Sequence, residues 1–207
     1  MSNLQFFDLG GSSMPEPGSL FYGLLPIGSD APAGAGGGLE SIATITVGAG
    51  GASSIEFVDI PQTFAHLQIR MIGRCTSTTA SPSVKVQLNG DVDNNYNYHG
   101  LWGNGSTAIS DSTGTANAMY PSRLASSLHA GNVFAAAVID FLDYANTSKN
   151  TVARGFTGRD DNSSGLIYMN SSLWMNTSAV TSIVMTPSQG TFTQFSTAAL
   201  YGIGEVV

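Results

Sequence analysis

The residues best suited to chemistry are three histidines, fourteen carboxylates and a single cysteine, and their spacing builds no recognisable catalytic motif. His66, His99 and His129 lie in different segments. No nucleophile elbow, H-E-x-x-H pair or phosphate-binding loop accompanies them. Serine is so abundant that a Ser–His–Asp set could be assembled by almost any fold, so its availability carries no signal. Paired carboxylates of a polysaccharide-cleaving enzyme are the strongest catalytic alternative. Of the four glutamates, however, Glu16, Glu40 and Glu205 lie in the first forty residues or at the C-terminal end. An enzyme is therefore not expected.

Metal chemistry has one opening. Asn89-Gly-Asp91-Val-Asp93-Asn-Asn95-Tyr-Asn97 places oxygen-bearing side chains at alternate positions, as a calcium loop begins. Counted from Asp91, the sixth position is Tyr96 rather than glycine and the twelfth is Trp102 rather than a bidentate glutamate. Asp and Asn also stabilise tight turns by bonding their own backbone, which is the expectation here. No metal or cofactor is expected. The lone Cys75 allows no internal disulfide, and its place at the end of an apolar run suits a small buried thiol. Tyr96, Tyr98 and Trp102 form the aromatic set expected to be exposed, where rings could stack on host surface glycan; Trp174, within a strand-like run, is expected in the core.

Composition narrows the classes further. Charged residues are only 10% of the chain, against about 25% in ordinary globular proteins, and the net charge is −7. Six acidic residues precede the first basic one, Arg70, and no basic cluster exists to neutralise a row of phosphates. Nucleic-acid binding is not expected. The apolar run Leu20–Ile27 is too short to span a bilayer and is broken by Gly23 and Pro26, so no membrane insertion is expected. The amino-terminal residues also lack the basic start of a secretory leader.

The elements that must position these residues fall into two parts. Residues 1–40 read as an extended Pro/Gly-rich arm carrying two apolar clusters. Phe6, Phe7, Phe21, Tyr22, Leu24 and Leu25 are its expected partner anchors, because aromatics stranded in such sequence need a burial site. Residues 41–207 read as about nine short strands: Ile42–Val47, Ile55–Val58, His66–Ile72, Val84–Leu88, Val133–Leu142, Thr151–Phe156, Leu166–Leu173, Ala179–Thr186 and Phe192–Ile203. Leu67, Ile69 and Met71 share the apolar face of the third. Val133–Leu142 is apolar enough to be buried on both faces, with a short helix as its rival. Turns are expected at Asn89-Gly90 and Gly158–Asn162. Asn94–Gly131 reads as a long irregular excursion with a short helix near Arg123–Leu128. The fold class is all-β: an antiparallel jelly-roll-like sandwich behind an extended arm.

Several strings together resemble structural proteins of tailed-bacteriophage particles. They are Phe57–Arg70, Val86–Asp91, Asn95-Tyr96, His99-Gly-Leu101, Val138–Asn146, Lys149-Asn150, Ser172-Leu-Trp174 and Ala198–Ile203. The resemblance spans roughly residues 41–203 and is spread over strands and turns rather than one motif. It implies a β-sandwich fibre, knob or decoration subunit of the virion, often trimeric, partnered by other capsid or tail proteins, and it carries over no catalytic positions. The arm would be the particle-specific attachment. A receptor-binding tip reading host polysaccharide is the alternative, and a depolymerase a more distant one.

Overall fold

The computed structural model describes residues 38–161 and 164–205. The six residues expected to anchor the arm, Phe6 to Leu25, lie outside the described residues. Twelve strands form among the described residues: β1 Leu39–Thr46, β2 Ile55–Phe57, β3 Phe64–Gly73, β4 Ser83–Leu88, β5 Tyr96–Gly103, β6 Ala108–Ala116, β7 Met119–Arg123, β8 Ala135–Leu142, β9 Thr151–Asp160, β10 Gly165–Trp174, β11 Ile183–Pro187 and β12 Thr197–Glu205. All strand pairings are antiparallel.

Two sheets result, ordered β1-β12-β3-β8-β9-β10-β5-β6 and β2-β11-β4-β7. Eight of the strands are wound as a jelly roll. Half of them (β1-β12-β3-β8) lie in the large sheet and half (β2-β11-β4-β7) make the small one, so the chain alternates between sheets as a double Greek key does. Two further hairpins, β5–β6 and β9–β10, leave this winding and extend the large sheet beyond β8.

Local sequence accounts for the winding. On β3 the alternation buries Leu67, Ile69 and Met71 and exposes Arg70 and Ile72. Asn89 and Gly90 take positive φ (52° and 70°), and the Asp91 amide donates to the Leu88 carbonyl at 2.9 Å. This is the tight turn its sequence announces, but it closes no hairpin: β4 is in the small sheet and β5 in the large one. Between the sheets, Phe57, Leu67, Ile69, Val86, Leu88, Phe141, Trp174, Met185 and Leu200 make one core. The Tyr144 hydroxyl donates to the Pro61 carbonyl and ties the turn after β8 to the loop before β3.

Four expectations need correction. Asn94–Gly131 is not an irregular excursion but holds β5, β6 and β7. No helix forms at Arg123–Leu128, where Leu124 and Ala125 bond instead to Pro82, Gly73 and Cys75. The turn expected at Gly158–Asn162 starts later, because β9 runs to Asp160. Finally, β8 is buried on one face only: Ala135, Ala137, Ile139 and Phe141 point inward while Ala136 and Val138 are exposed.

Candidate docking face

Side chains alternate faces along a strand, so antiparallel registers collect them into rows running across a sheet. On the outer face of the large sheet, away from β7, one row runs Ala199, Arg70, Val138, Phe156, Met169, Leu101 from β12 to β5. The next is polar: Tyr201, Gln68, Asp140, Arg154, Ser171, His99. Beyond it lie Ile203, His66, Leu142, Val152, Leu173, Asn97. On the other side of the first row stand Thr197, Ile72, Ala136, Gly158, Ile167, Gly103.

Ile72, Leu101, Phe156, Ile167 and Met169 are each more than half exposed. Grouped side chains of this size are unlike the scattered apolar residues of an ordinary surface. A shallow depression of about 640 Å³ opens among them, bounded by Leu101, Val138, Phe156 and Met169 on its apolar side and by Asp140 and Arg154 on its polar side. The polar row is held as a ladder. Gln68 donates to Asp140 at 2.9 Å, Arg154 reaches the other Asp140 oxygen at 3.5 Å, and Arg70 donates to Gln68 at 3.0 Å while lying over the Tyr201 ring.

The cause of this inversion is on the inner face of β9. Thr151, Ala153, Gly155 and Thr157 point inward and are buried, while Val152, Arg154 and Phe156 point out. A Cβ at Gly155 would overlap the carbonyl oxygen of Pro121, so β7 lies directly on the β9 backbone and only small residues fit beneath it. Pro121 suits β7 because that strand is an edge of the small sheet and its missing amide costs no ladder bond. Arg123 then locks β7 in place: its guanidinium lies 4.6 Å from the Tyr168 ring centroid and donates to Asp111 at 3.0 Å and Ser83 at 2.8 Å. Below it, Ser172 donates to Asn170, Asn170 to Tyr168 and Tyr168 to the Tyr120 carbonyl.

No protein-family model, no curated protein and no solved structure matches the chain. Its chemistry must be read from the geometry alone.

The expected glycan-stacking set does not form an exposed platform. Tyr96 is fully buried, stacked with Trp174, and its hydroxyl donates to the Asp91 carbonyl at 3.0 Å. Even-numbered positions of β5 face inward, so Tyr98 and Trp102 are half-buried on that side, with Tyr98 tilted against Tyr120. Burial pushes the Tyr96 hydroxyl up to about 12, and that of Tyr168 likewise to about 12. Trp174 is in the core as its sequence context indicates.

Asp91 is a structural bracket. One oxygen accepts from the Asp93 amide at 2.9 Å; the other accepts from Asn95 at 3.0 Å and the Trp174 indole at 2.7 Å. Burial raises its carboxyl, but those three hydrogen bonds outweigh burial and hold it below the ordinary value. Among the described residues no group of three His, Cys, Asp or Glu could hold a metal ion.

The fold does bring one Ser–His–Asp set together. His129 Nδ1 lies 3.1 Å from Ser126 Oγ, and its Nε2 lies 3.7 Å from Asp161. The Ser126 amide also donates to Nδ1 at 2.9 Å, and Ser126 is fully buried, so the hydroxyl is a loop brace with no path to a substrate in this conformation. His66 and His99 sit on the outer face in different rows, four strands apart. Cys75 is buried and its thiol is pushed up by burial, the opposite of an activated nucleophile.

Sequence reasoning missed Leu101, Phe156, Ile167 and Met169 as an exposed apolar set. A usable signal was present in β9: large and small residues alternate from Thr151 to Thr157, and a strand whose small residues are inside carries its large ones outside.

Proposed function

We propose that this chain is a non-enzymatic structural subunit of a tailed-phage particle, a fibre, knob or decoration protein, attached to other virion proteins through its N-terminal arm. The observation that carries this reading is the apolar outer face. A jelly roll that has already closed its core keeps a second large set of apolar side chains in water, as a protein built to be buried among neighbours would. The low charge content supports the same reading, because contacts of this kind vary little with salt. The strings that resemble phage structural proteins fall on strands of both sheets, β2–β5, β8, β10 and β12, and their turns. Location on the virion is part of the same proposal.

Deletion of residues 2–30 tests the attachment. The truncated chain should keep the far-ultraviolet β-sheet spectrum and thermal transition of the full chain yet be missing from purified particles. Normal incorporation would sink the reading. A receptor-binding tip is the weaker alternative, since Tyr96 of its expected ring set is in the core.

A further inference from the structure

We infer that the outer face of the large sheet is an interface with a second copy of this chain, related by a two-fold axis that runs parallel to the strands between β8 and β9. The inference goes beyond the attachment reading and does not depend on it.

The argument starts from the rows. A two-fold along the strand direction keeps each row opposite itself and exchanges strands symmetrically: β8 with β9, β3 with β10, β12 with β5. Asp140 then faces Arg154 of the second copy, and Arg154 faces its Asp140, so the two charges on the central strands are each matched. Val138 faces Phe156 and Leu142 faces Val152. Ile72 faces Ile167, and Gln68 faces Ser171. Apolar meets apolar and polar meets polar at all these positions. Three pairs break the pattern: His66 opposite Leu173 and Ile203 opposite Asn97 in the outermost row, and Arg70 opposite Met169, where the guanidinium is already drawn aside toward Gln68 and Tyr201. An axis running across the strands along the polar row would instead set Arg154 on Arg154 and Asp140 on Asp140, a like-charge arrangement that interfaces avoid. Between these two axes the charges select the one along the strands.

The area is adequate. Six strands from β12 to β5, spaced about 4.8 Å, and four rows, spaced about 6.8 Å, present roughly 800 Å² per copy. Stable interfaces bury about that much on each partner. Two twisted sheets pack face to face about 10 Å apart with strands near −30°, which keeps the central strands in register while the corners diverge. The contact is isologous.

Charge reversal in the full chain tests it by sedimentation velocity. Asp140→Arg alone and Arg154→Asp alone should each weaken self-association roughly 100-fold, because like charges then meet twice across the axis. An equimolar mixture of the two variants should form a heterodimer, since every cross-axis pair becomes complementary again. The double variant should regain the wild-type dimer. Rescue on mixing cannot come from a misfolded chain. A wild-type chain that stays monomeric up to about 100 µM would overturn the inference, as would single variants that dimerise normally or a mixture that remains monomeric. Should either single variant fail to fold, Phe156→Ser replaces it: loss of the dimer is expected, and an unchanged dimer would overturn the inference. A chain that dimerises as described but is absent from particles would refute the attachment reading and leave this one standing.

Discussion

The inner and outer faces of the large sheet are built from the same strands and obey opposite rules. Inside β9, the residues from Thr151 to Thr157 are small because β7 presses on the backbone; outside, Val152, Arg154 and Phe156 are large and uncovered. Inside β10, Tyr168, Asn170 and Ser172 spend their polar groups on one another and on β7; outside, Ile167 and Met169 stand in water. The inner face is finished, in that its packing partners belong to the same chain. The outer face carries core-sized apolar side chains on either side of a polar row, with no covering element among the described residues. The proposed role as a structural subunit would use this division: one face makes the fold independent, and the other is free for assembly.

The comparison breaks most sharply at Gly155. Replacing it with valine should abolish cooperative folding, a loss beyond about 4 kcal/mol, because the clash is with the Pro121 backbone and not with a side chain that can move. Soluble protein with a wild-type urea midpoint would show that β7 does not seat on β9. Next is a matched pair across the sheet. Phe141→Ala, on the inner face, should cost about 3–5 kcal/mol by urea melt. Phe156→Ala, in dilute solution, should cost no more than about 0.5 kcal/mol. Equal losses would erase the distinction between the faces.

Asp91→Ala comes third, at about 1–3 kcal/mol, since the Trp174 indole and the Asn95 amide lose their acceptor. Its pH dependence has a definite sign. A carboxyl held low in the fold stabilises above its unfolded pKa, and that contribution fades as pH falls through the depressed value. The variant should therefore lose stability less steeply than the wild type below about pH 4. The smallest effect is alkaline. Tyr96 and Tyr168 are pushed up to about 12, so both states are protonated below about pH 10 and the fold loses stability from there to about pH 12. Tyr96→Phe should flatten that limb of the thermal-melt profile; an unchanged limb would mean that its hydroxyl ionises freely in the fold.

Legibility in the sequence followed the strength of alternation. Strand β3 could be read directly, with Leu67, Ile69 and Met71 inside, because a half-buried strand with a large-residue core face has a clean period of two. The all-β class followed from several such segments. Strands β5 to β7 were illegible for separate reasons. In β5 the buried positions are Tyr96 and Gly100, the latter crowded by Asp111 and Tyr168 so that no side chain fits. Strand β6 is an exposed edge of small polar residues, and β7 contains a proline tolerated at its own edge. Tyr96 was misplaced outward because its neighbours are Asn-rich, although its ring caps Trp174 from a different strand. The outer face was hidden for a related reason. Val138, Phe156, Met169 and Leu101 are far apart in sequence and become one patch only through strand order.

Hydroxyl-radical footprinting of Met169 in the full chain, over a range of protein concentrations, tests the central claim most directly. Met169 is 55% exposed in the single chain, while Met119 and Met185 are fully buried and serve as internal references. The outer-face account predicts that Met169 oxidation falls several-fold as concentration rises through the association range and recovers on dilution, with both references protected throughout. Equal Met169 oxidation at every concentration would contradict it.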